Sequence, residues 1–336
     1  MQSGDFNLIS VFSGAGGLDY GFQHGGFSTV FACDKSQSSV DSFNINFNDG
    51  VSKVIDLAEI APADFVGMVP IQRRRDGLVG FIGGPPCQGF SRGNVRRDPN
   101  DPRNTLPHRF AQLLCELNRA VRIDFFVFEN VVGLRGPMYE ELLSSVCESL
   151  KRAGFRLFQQ VLDAGEFGVP QRRRRMFIVG LSTSSLPGRE FEFPTPRARK
   201  TTVRDAIAGL PKPVFYDRTL LNRKIPYHPN HWTSQPRSAK FTTGHTTDGR
   251  SFRRLEWDAP SPTIAYGNRE ISLHPDGDRR LSILEAMLLQ GFPKRYQLRG
   301  NFSQQVEQVS NAVPPPLARA IAGQIRKAFL SPPPRR

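Results

Sequence analysis

Residues 6–12 read FNLISVF, a short apolar strand, and run without interruption into Ser13-Gly14-Ala15-Gly16-Gly17 and a helix-compatible stretch at 18–24. Strand, tight glycine turn and helix in that order open an α/β sheet. The alternation continues along the chain. Residues 29–32 form a second strand that closes at Asp34, residues 37–47 are helical, and a third apolar piece closes at Asp56. Strands follow at 78–82, 125–128, 156–162 and 176–181, with helices at 110–120 and 139–153. This pattern predicts a doubly wound α/β fold.

The character changes after Leu181. Residues 181–250 hold 8 of the 27 prolines, 12 Lys or Arg against 5 Asp or Glu, and no sustained helical or strand period. Half of the formal net charge of +14 sits in this tract, so it reads as a small, irregular, basic unit with either a solvated surface or an acidic partner. Further helices are expected at 282–290 and at 317–329, the latter after Pro314-Pro315-Pro316. The expected division is 1–180, 181–252 and 253–336, with the last helix, at about 310–330, returning to the first unit. No run of about 18 apolar residues is present to span a bilayer. Residues 1–5 lack the charged, apolar and small-residue pattern of a secretory signal, so a cytoplasmic protein is expected.

Candidate chemistry gathers where strands end. A glycine turn between a first strand and a helix lets backbone N–H groups approach a ligand, and Asp34 at the end of the next strand is placed to hold ribose hydroxyls. Taken alone, the turn is also compatible with an ordinary connection. After the strand at 78–82 comes Gly83-Gly84-Pro85-Pro86-Cys87-Gln88-Gly89-Phe90-Ser91, in which two prolines fix the backbone just before a thiol. The other cysteines, Cys33, Cys115 and Cys147, form no C-x-x-C pair and read as small buried apolar residues, with neither a disulfide framework nor a metal site. Glu129-Asn130-Val131 follows the strand at 125–128 and brings a carboxyl to the same sheet edge, unless it is a solvated loop. In Gln171-Arg172-Arg173-Arg174-Arg175, alternation sends Arg173 and Arg175 to one side and Arg172 and Arg174 to the other.

In this order the motifs resemble those of the DNA (cytosine-5)-methyltransferase family of bacterial restriction-modification type. Phe12-Ser13-Gly14-Ala15-Gly16-Gly17 resembles its cofactor loop, Asp34 its ribose-binding acid, Pro85-Pro86-Cys87-Gln88 its nucleophile motif, and Glu129-Asn130-Val131 its acid motif. Gln171-x-Arg173-x-Arg175 matches its paired-arginine motif. Pro260-Ser261-Pro262-Thr263-Ile264, Gln290-Gly291-Phe292-Pro293 and Asn311-Ala312-Val313-Pro314-Pro315 resemble its late blocks. Two positions depart from the pattern: Ser310 stands where the last motif commonly opens with Gly, and Lys35 where relatives often carry a bulky apolar or aromatic residue.

The resemblance implies an S-adenosylmethionine-dependent methyltransferase domain with a small target-recognition domain at 181–252. It implies S-adenosyl-L-methionine held by Phe12, Gly14, Gly16, Gly17, Asp34, Asp56, Pro86 and Asn311. Cys87, Glu129, Arg173 and Arg175 are the implied catalytic residues, with Gln88, Ser91 and Asn130 on the substrate. Carbon 5 of cytosine is a poor nucleophile, and addition of the Cys87 sulfur to carbon 6, with Glu129 at ring nitrogen 3, makes it reactive. Arg175 and Arg173 would hold the cytosine O2 and favour the Cys87 thiolate. A stacked base is out of reach, so the cytosine must be flipped, with Arg92 just ahead of the loop at 93–104, and Arg96, Arg97 and Arg103 within it, placed to grip phosphates. The expected partner is double-stranded DNA, with neither metal nor membrane. The enzyme is expected as a nucleoid-associated monomer, with a cognate restriction endonuclease or as an orphan or phage methylase.

Two readings compete with this one. An RNA-directed relative would carry a Cys-Phe-Thr tripeptide beyond the arginine motif, and no Cys occurs after Cys147. A catalytically silent DNA-binding scaffold would have no need of Cys87, Glu129, Arg173 and Arg175 together. A nicotinamide dehydrogenase lacks support, because the glycine spacing is not G-x-G-x-x-G.

Overall fold

A computed structural model describes residues 6–47, 50–70, 77–86, 105–196, 200–217, 219–220, 224–235, 252–264, 271–277 and 279–330. Strands β1 (Phe6–Val11), β2 (Ser28–Asp34), β3 (Ser52–Val54), β4 (Leu78–Gly83) and β5 (Phe125–Val131) pair in parallel. An antiparallel pair, β6 (Phe155–Asp163) and β7 (Arg174–Ser182), completes a seven-stranded sheet of order β3-β2-β1-β4-β5-β7-β6. Strands covered on both faces must be apolar on both, and Leu8, Ile9 and Val11 of β1 are fully buried, as are Phe126, Val127 and Phe128 of β5.

One face packs Ile9, Phe31 and Phe126 against Phe65 of α3 (Pro62–Met68), Phe110 and Leu114 of α4 (Leu106–Ala120), and Leu150 of α5 (Glu140–Arg152). The other packs Leu8 and Phe177 against Phe22 of α1 (Gly17–Gln23). Leu317 and Ile321 of the late helix α9 (Pro315–Leu330) join that same cluster. α2 (Gln37–Asn46) links β2 to β3. α9 thus brings the end of the chain back onto α1.

A third cluster surrounds Trp232, Met287 and Tyr296. It draws on α6 (Val203–Ile207), the short strands β8 (Val214–Phe215) and β9 (Trp232–Thr233), α7 (Ile283–Leu289) and α8 (Phe302–Asn311), together with Ala15 and Tyr20 of the first glycine turn and helix. β10 (Phe252–Arg254) and β11 (Ile271–Leu273) pair in parallel beside it. Leu186, Phe191 and Phe193, which follow β7, pack instead with the cluster beneath α1 and α9.

The structure lengthens several expected elements. α4 starts at Leu106, with Pro107 in its first turn, and β5 continues to Val131, so Glu129 lies inside a strand and not in a loop after it. Between Asp56 and β4, where the sequence pattern names no element, α3 opens on Pro62 and buries Phe65 completely. α8 was not expected. Its start is written in a capping box, where the Asn301 side chain accepts from Gln304 N–H and the Gln304 side chain accepts from Asn301 N–H. Cys33 and Cys147 are buried and Cys115 is half-buried. Among the described residues, no helix is long and apolar enough to cross a membrane, and no group of His, Cys, Asp and Glu could hold a metal ion.

Candidate active site

β1 pairs with β2 on one side and β4 on the other, so the winding of the sheet reverses around it and a crevice opens beyond the carboxyl ends of these strands. A cavity of about 540 Å³ lies there. It is within the size range of small-molecule sites, about 300–1,000 Å³. Phe12, Gly14 and Gly17 line it after β1, Asp34 after β2, Asp56 after β3, and Pro85 and Pro86 after β4. Glu129, Arg173, Arg175 and Asn311 close the remaining side.

The glycine turn is fixed by β2. Ser13 N–H donates to the Cys33 carbonyl at 3.0 Å, and Gly14 N–H donates to Asp34 Oδ2 at 2.9 Å. Ser36 N–H donates to Asp34 Oδ1, also at 2.9 Å. Each carboxylate oxygen therefore keeps acceptor capacity, as a vicinal diol would need. Burial pushes the Asp34 carboxyl up, and the two N–H donors oppose that shift. Phe12, a non-glycine residue, sits at φ 51°, a strained conformation of the kind held at ligand clamps. At Gly17, a side chain would meet the Val313 carbonyl, which comes from the segment between α8 and α9. Gly16 is not part of the lining. It caps α1 at φ 85° and backs onto Phe43 and Phe47.

Antiparallel β7 explains how arginines reach this edge. The start of β7 lies beside the end of β5, with Val131 opposite Arg175, so Arg175 is the diagonal neighbour of Glu129 on one face. Arg175 Nε lies 3.1 Å from Glu129 Oε1. Glu129 is 7% exposed, and burial pushes its carboxyl above the ordinary range while Arg175 and Arg173 pull it back. Arg173, 1% exposed, donates from Nη2 to the Ser310 carbonyl at 2.7 Å and so ties the approach to β7 to the end of α8. Arg172 and Arg174 are exposed, as the alternation requires. Asn130 lies off the lining. Its Nδ2 donates to the Pro85 carbonyl at 3.2 Å and holds the strand end that leads to Cys87.

Gly84 faces the Glu129 carboxyl, and a Cβ there would stand 2.7 Å from Oε2. Because a carboxyl can swing aside, Gly84→Ala is expected to leave the melting temperature within about 2 °C while lowering kcat by about tenfold or more. Thermal unfolding and turnover assays on one preparation check this; an unchanged kcat removes the requirement for glycine.

Ser310 occupies the last turn of α8 at negative φ and bonds through Oγ to the Val306 carbonyl at 2.8 Å, so no glycine is needed there. Lys35 lines the cavity beside Asp34. Gln304, Glu307 and Gln308 of α8, which no motif marks, form a cavity wall, as does the turn at Leu57 and Ala58. The Asn301 and Gln304 cap was the available signal for the first three. Thr263 and Ile264 also line the cavity, and Ser261 and Thr263 bond to the backbone of Pro170 and Arg172 just ahead of Arg173. Cys87, Gln88, Ser91, Arg92, Arg96, Arg97 and Arg103 lie outside the described residues.

A family model for C-5 cytosine-specific DNA methylases matches residues 6–327. The type II methyltransferase M.MthTI of Methanothermobacter thermautotrophicus is 32% identical over 348 aligned residues, covering 96% of this chain and 98% of its own. M1.HphI of Haemophilus parahaemolyticus is 32% identical over 336, covering 95% and 86%. Among solved structures, an E. coli protein described as a DNA modification methyltransferase encoded within a prophage superposes with a TM-score of 0.76 at 23% identity, covering 97% of this chain and all of that one. The Entamoeba histolytica methyltransferase EhMeth gives 0.64 at 16%, covering 97% and 98%.

Proposed function

Because the chain belongs to the C-5 cytosine-specific DNA methylases, we propose that its cleft brings S-adenosyl-L-methionine, Cys87 and Glu129 to one flipped cytosine of duplex DNA. The observation that carries this reading is the meeting, at one cavity, of the Asp34 turn, the Pro85-Pro86 segment that leads to Cys87, and the Glu129 and Arg175 pair.

The donor set fits the cofactor. Asp34 has acceptor capacity for two ribose hydroxyls, Asp56 stands at the cavity edge for an exocyclic amine, and Phe12, Gly14, Gly17, Pro86 and Asn311 supply wall and backbone. When bound, S-adenosylmethionine supplies the electrophilic methyl that carbon 5 acquires. The chain's residues prepare the base. The Cys87 sulfur adds to carbon 6, Glu129 holds a proton at ring nitrogen 3, and electron density moves to carbon 5. Arg175 orients Glu129, and its charge with that of Arg173 favours the thiolate at Cys87. Loss of the carbon-5 proton and expulsion of the Cys87 sulfur then restore the aromatic ring. Asn130 acts one step back, by holding Pro85.

The part of the basic tract 181–252 that lies beyond Phe193 serves as the target-recognition domain, with some Lys and Arg side chains on phosphates and others reading bases. The enzyme acts as a monomer in a restriction-modification system, beside a cognate endonuclease. Labelled cofactor offered with duplex DNA and with tRNA tests the substrate: label entering DNA is expected, and label in tRNA alone rejects the reading. Bisulfite sequencing of DNA from expressing cells would then give the target sequence.

A further inference from the structure

Arg109 belongs to none of the motifs above, yet it binds the turn that forms one cavity wall. From the second turn of α4, its Nε donates to the Leu57 carbonyl at 2.6 Å and its Nη2 to the Ile60 carbonyl. Its Nη1 donates to Gln112 Oε1 at 2.6 Å, which fixes the guanidinium on its own helix. The turn so gripped is short. Glu59 and Ile60 N–H groups return to the Asp56 carbonyl at 3.2 Å, and Ala58 N–H donates to Asp56 Oδ1 at 2.9 Å. Asp56, Leu57 and Ala58 present themselves to the cavity, as does Leu106 from the first turn of α4.

β3, which precedes this turn, is three residues long at the edge of the sheet, so the sheet itself gives the turn little support. A guanidinium is planar and offers donors in a fixed fork, which lets one side chain hold two carbonyls at a set separation. We infer that Arg109 is a positioning residue for the cofactor: it locks the Asp56–Ile60 turn in the form that binds the adenosine half of S-adenosylmethionine. The inference rests on the cleft being the cofactor site, and the test separates the two.

Calorimetric titration of the full chain with S-adenosylmethionine, and with adenosine alone, is made on wild type, Arg109→Met, Arg109→Lys and Asp34→Asn. Arg109→Met keeps an unbranched apolar stem, shorter than that of arginine, and loses every donor. It is expected to weaken both ligands by a common factor of about ten, whereas Arg109→Lys, which keeps one charged donor, weakens them by about threefold. In turnover, the KM for cofactor should rise by the same factors, while kcat at saturation and the KM for DNA stay within about twofold of wild type. Asp34→Asn is expected to weaken binding at least about tenfold. Normal binding by Arg109→Met with weak binding by Asp34→Asn removes the clamp and leaves the cleft reading intact. Normal binding by both overturns both readings. A fall in kcat, or in affinity for DNA, as large as the loss of cofactor affinity means that Arg109 only supports the fold, and that also overturns the inference.

Discussion

Cys87→Ala protein is expected to transfer no measurable methyl to DNA, a loss of at least about four orders of magnitude, which is the scale seen when covalent enzymes lose their nucleophile. Without the sulfur at carbon 6, carbon 5 has no enamine character and meets the methyl donor as an inert aromatic carbon. The cofactor cavity should survive the change, since Asp34, Asp56, Glu129 and Arg175 are held by their own strands and turns. Affinity for S-adenosylmethionine should therefore stay within about threefold of wild type. A second readout tests the bond itself. Cognate duplex carrying 5-fluorocytosine should form with wild type an adduct that survives denaturing electrophoresis, because fluorine replaces the proton that must leave. Cys87→Ala and Cys87→Ser should form none. A Cys87→Ala enzyme with a tenth of wild-type activity, or still forming the adduct, would remove this residue from the chemistry.

Glu129→Ala is expected to lower kcat by about 10²–10⁴-fold, the range of a lost general acid. Glu129→Gln should fall less far, since an amide N–H can still face ring nitrogen 3 but cannot yield its proton. The direction of the Glu129 shift adds a test independent of turnover. Its carboxyl is raised above the ordinary value of 4.5, chiefly by burial. The folded state therefore holds this proton more tightly than the unfolded chain. The stability it contributes is complete below pH 4.5 and is lost as pH rises through the higher folded value. Glutamine does not titrate. The melting temperature of Glu129→Gln relative to wild type should accordingly rise with pH above about 4.5, whatever constant offset comes from leaving Arg175 without its carboxylate partner. A difference that stays flat or falls across that window would mean that Glu129 is not buried as described.

Much of this was legible in the sequence because strands covered on both faces must be apolar, and the turns between them then stand out. Asp34, Glu129 and the Arg173 and Arg175 pair all lie at strand ends, where alternation and chain order are enough to bring them to one edge. What escaped notice was built from polar stretches. The helix of Phe302–Asn311 carries three glutamines and a glutamate among its residues, so its apolar period is diluted and only its capping box marks it. The helix of Pro62–Met68 is too short, at two turns, to show a helical period, and only Phe65 anchors it. Gly16 and Asn130 show a different limit. A motif fixes the neighbourhood of a residue, but whether it faces the ligand or braces the wall behind it depends on packing partners far away in sequence, here Phe43 and Phe47 for the first and Pro85 for the second.

The return of the last helix onto the first has a consequence for how the protein comes into being. The Tyr296 hydroxyl bonds to the Ala15 carbonyl across 281 residues, and the carbonyl of Val313 lies against Gly17. A growing polypeptide can pair β1 with β2 and β4 early, but the pocket gains its last wall only when these late segments leave the ribosome. Ligand loading thus waits until residues 296–313 have been made, and a bound molecule stabilises segments far apart in the sequence together.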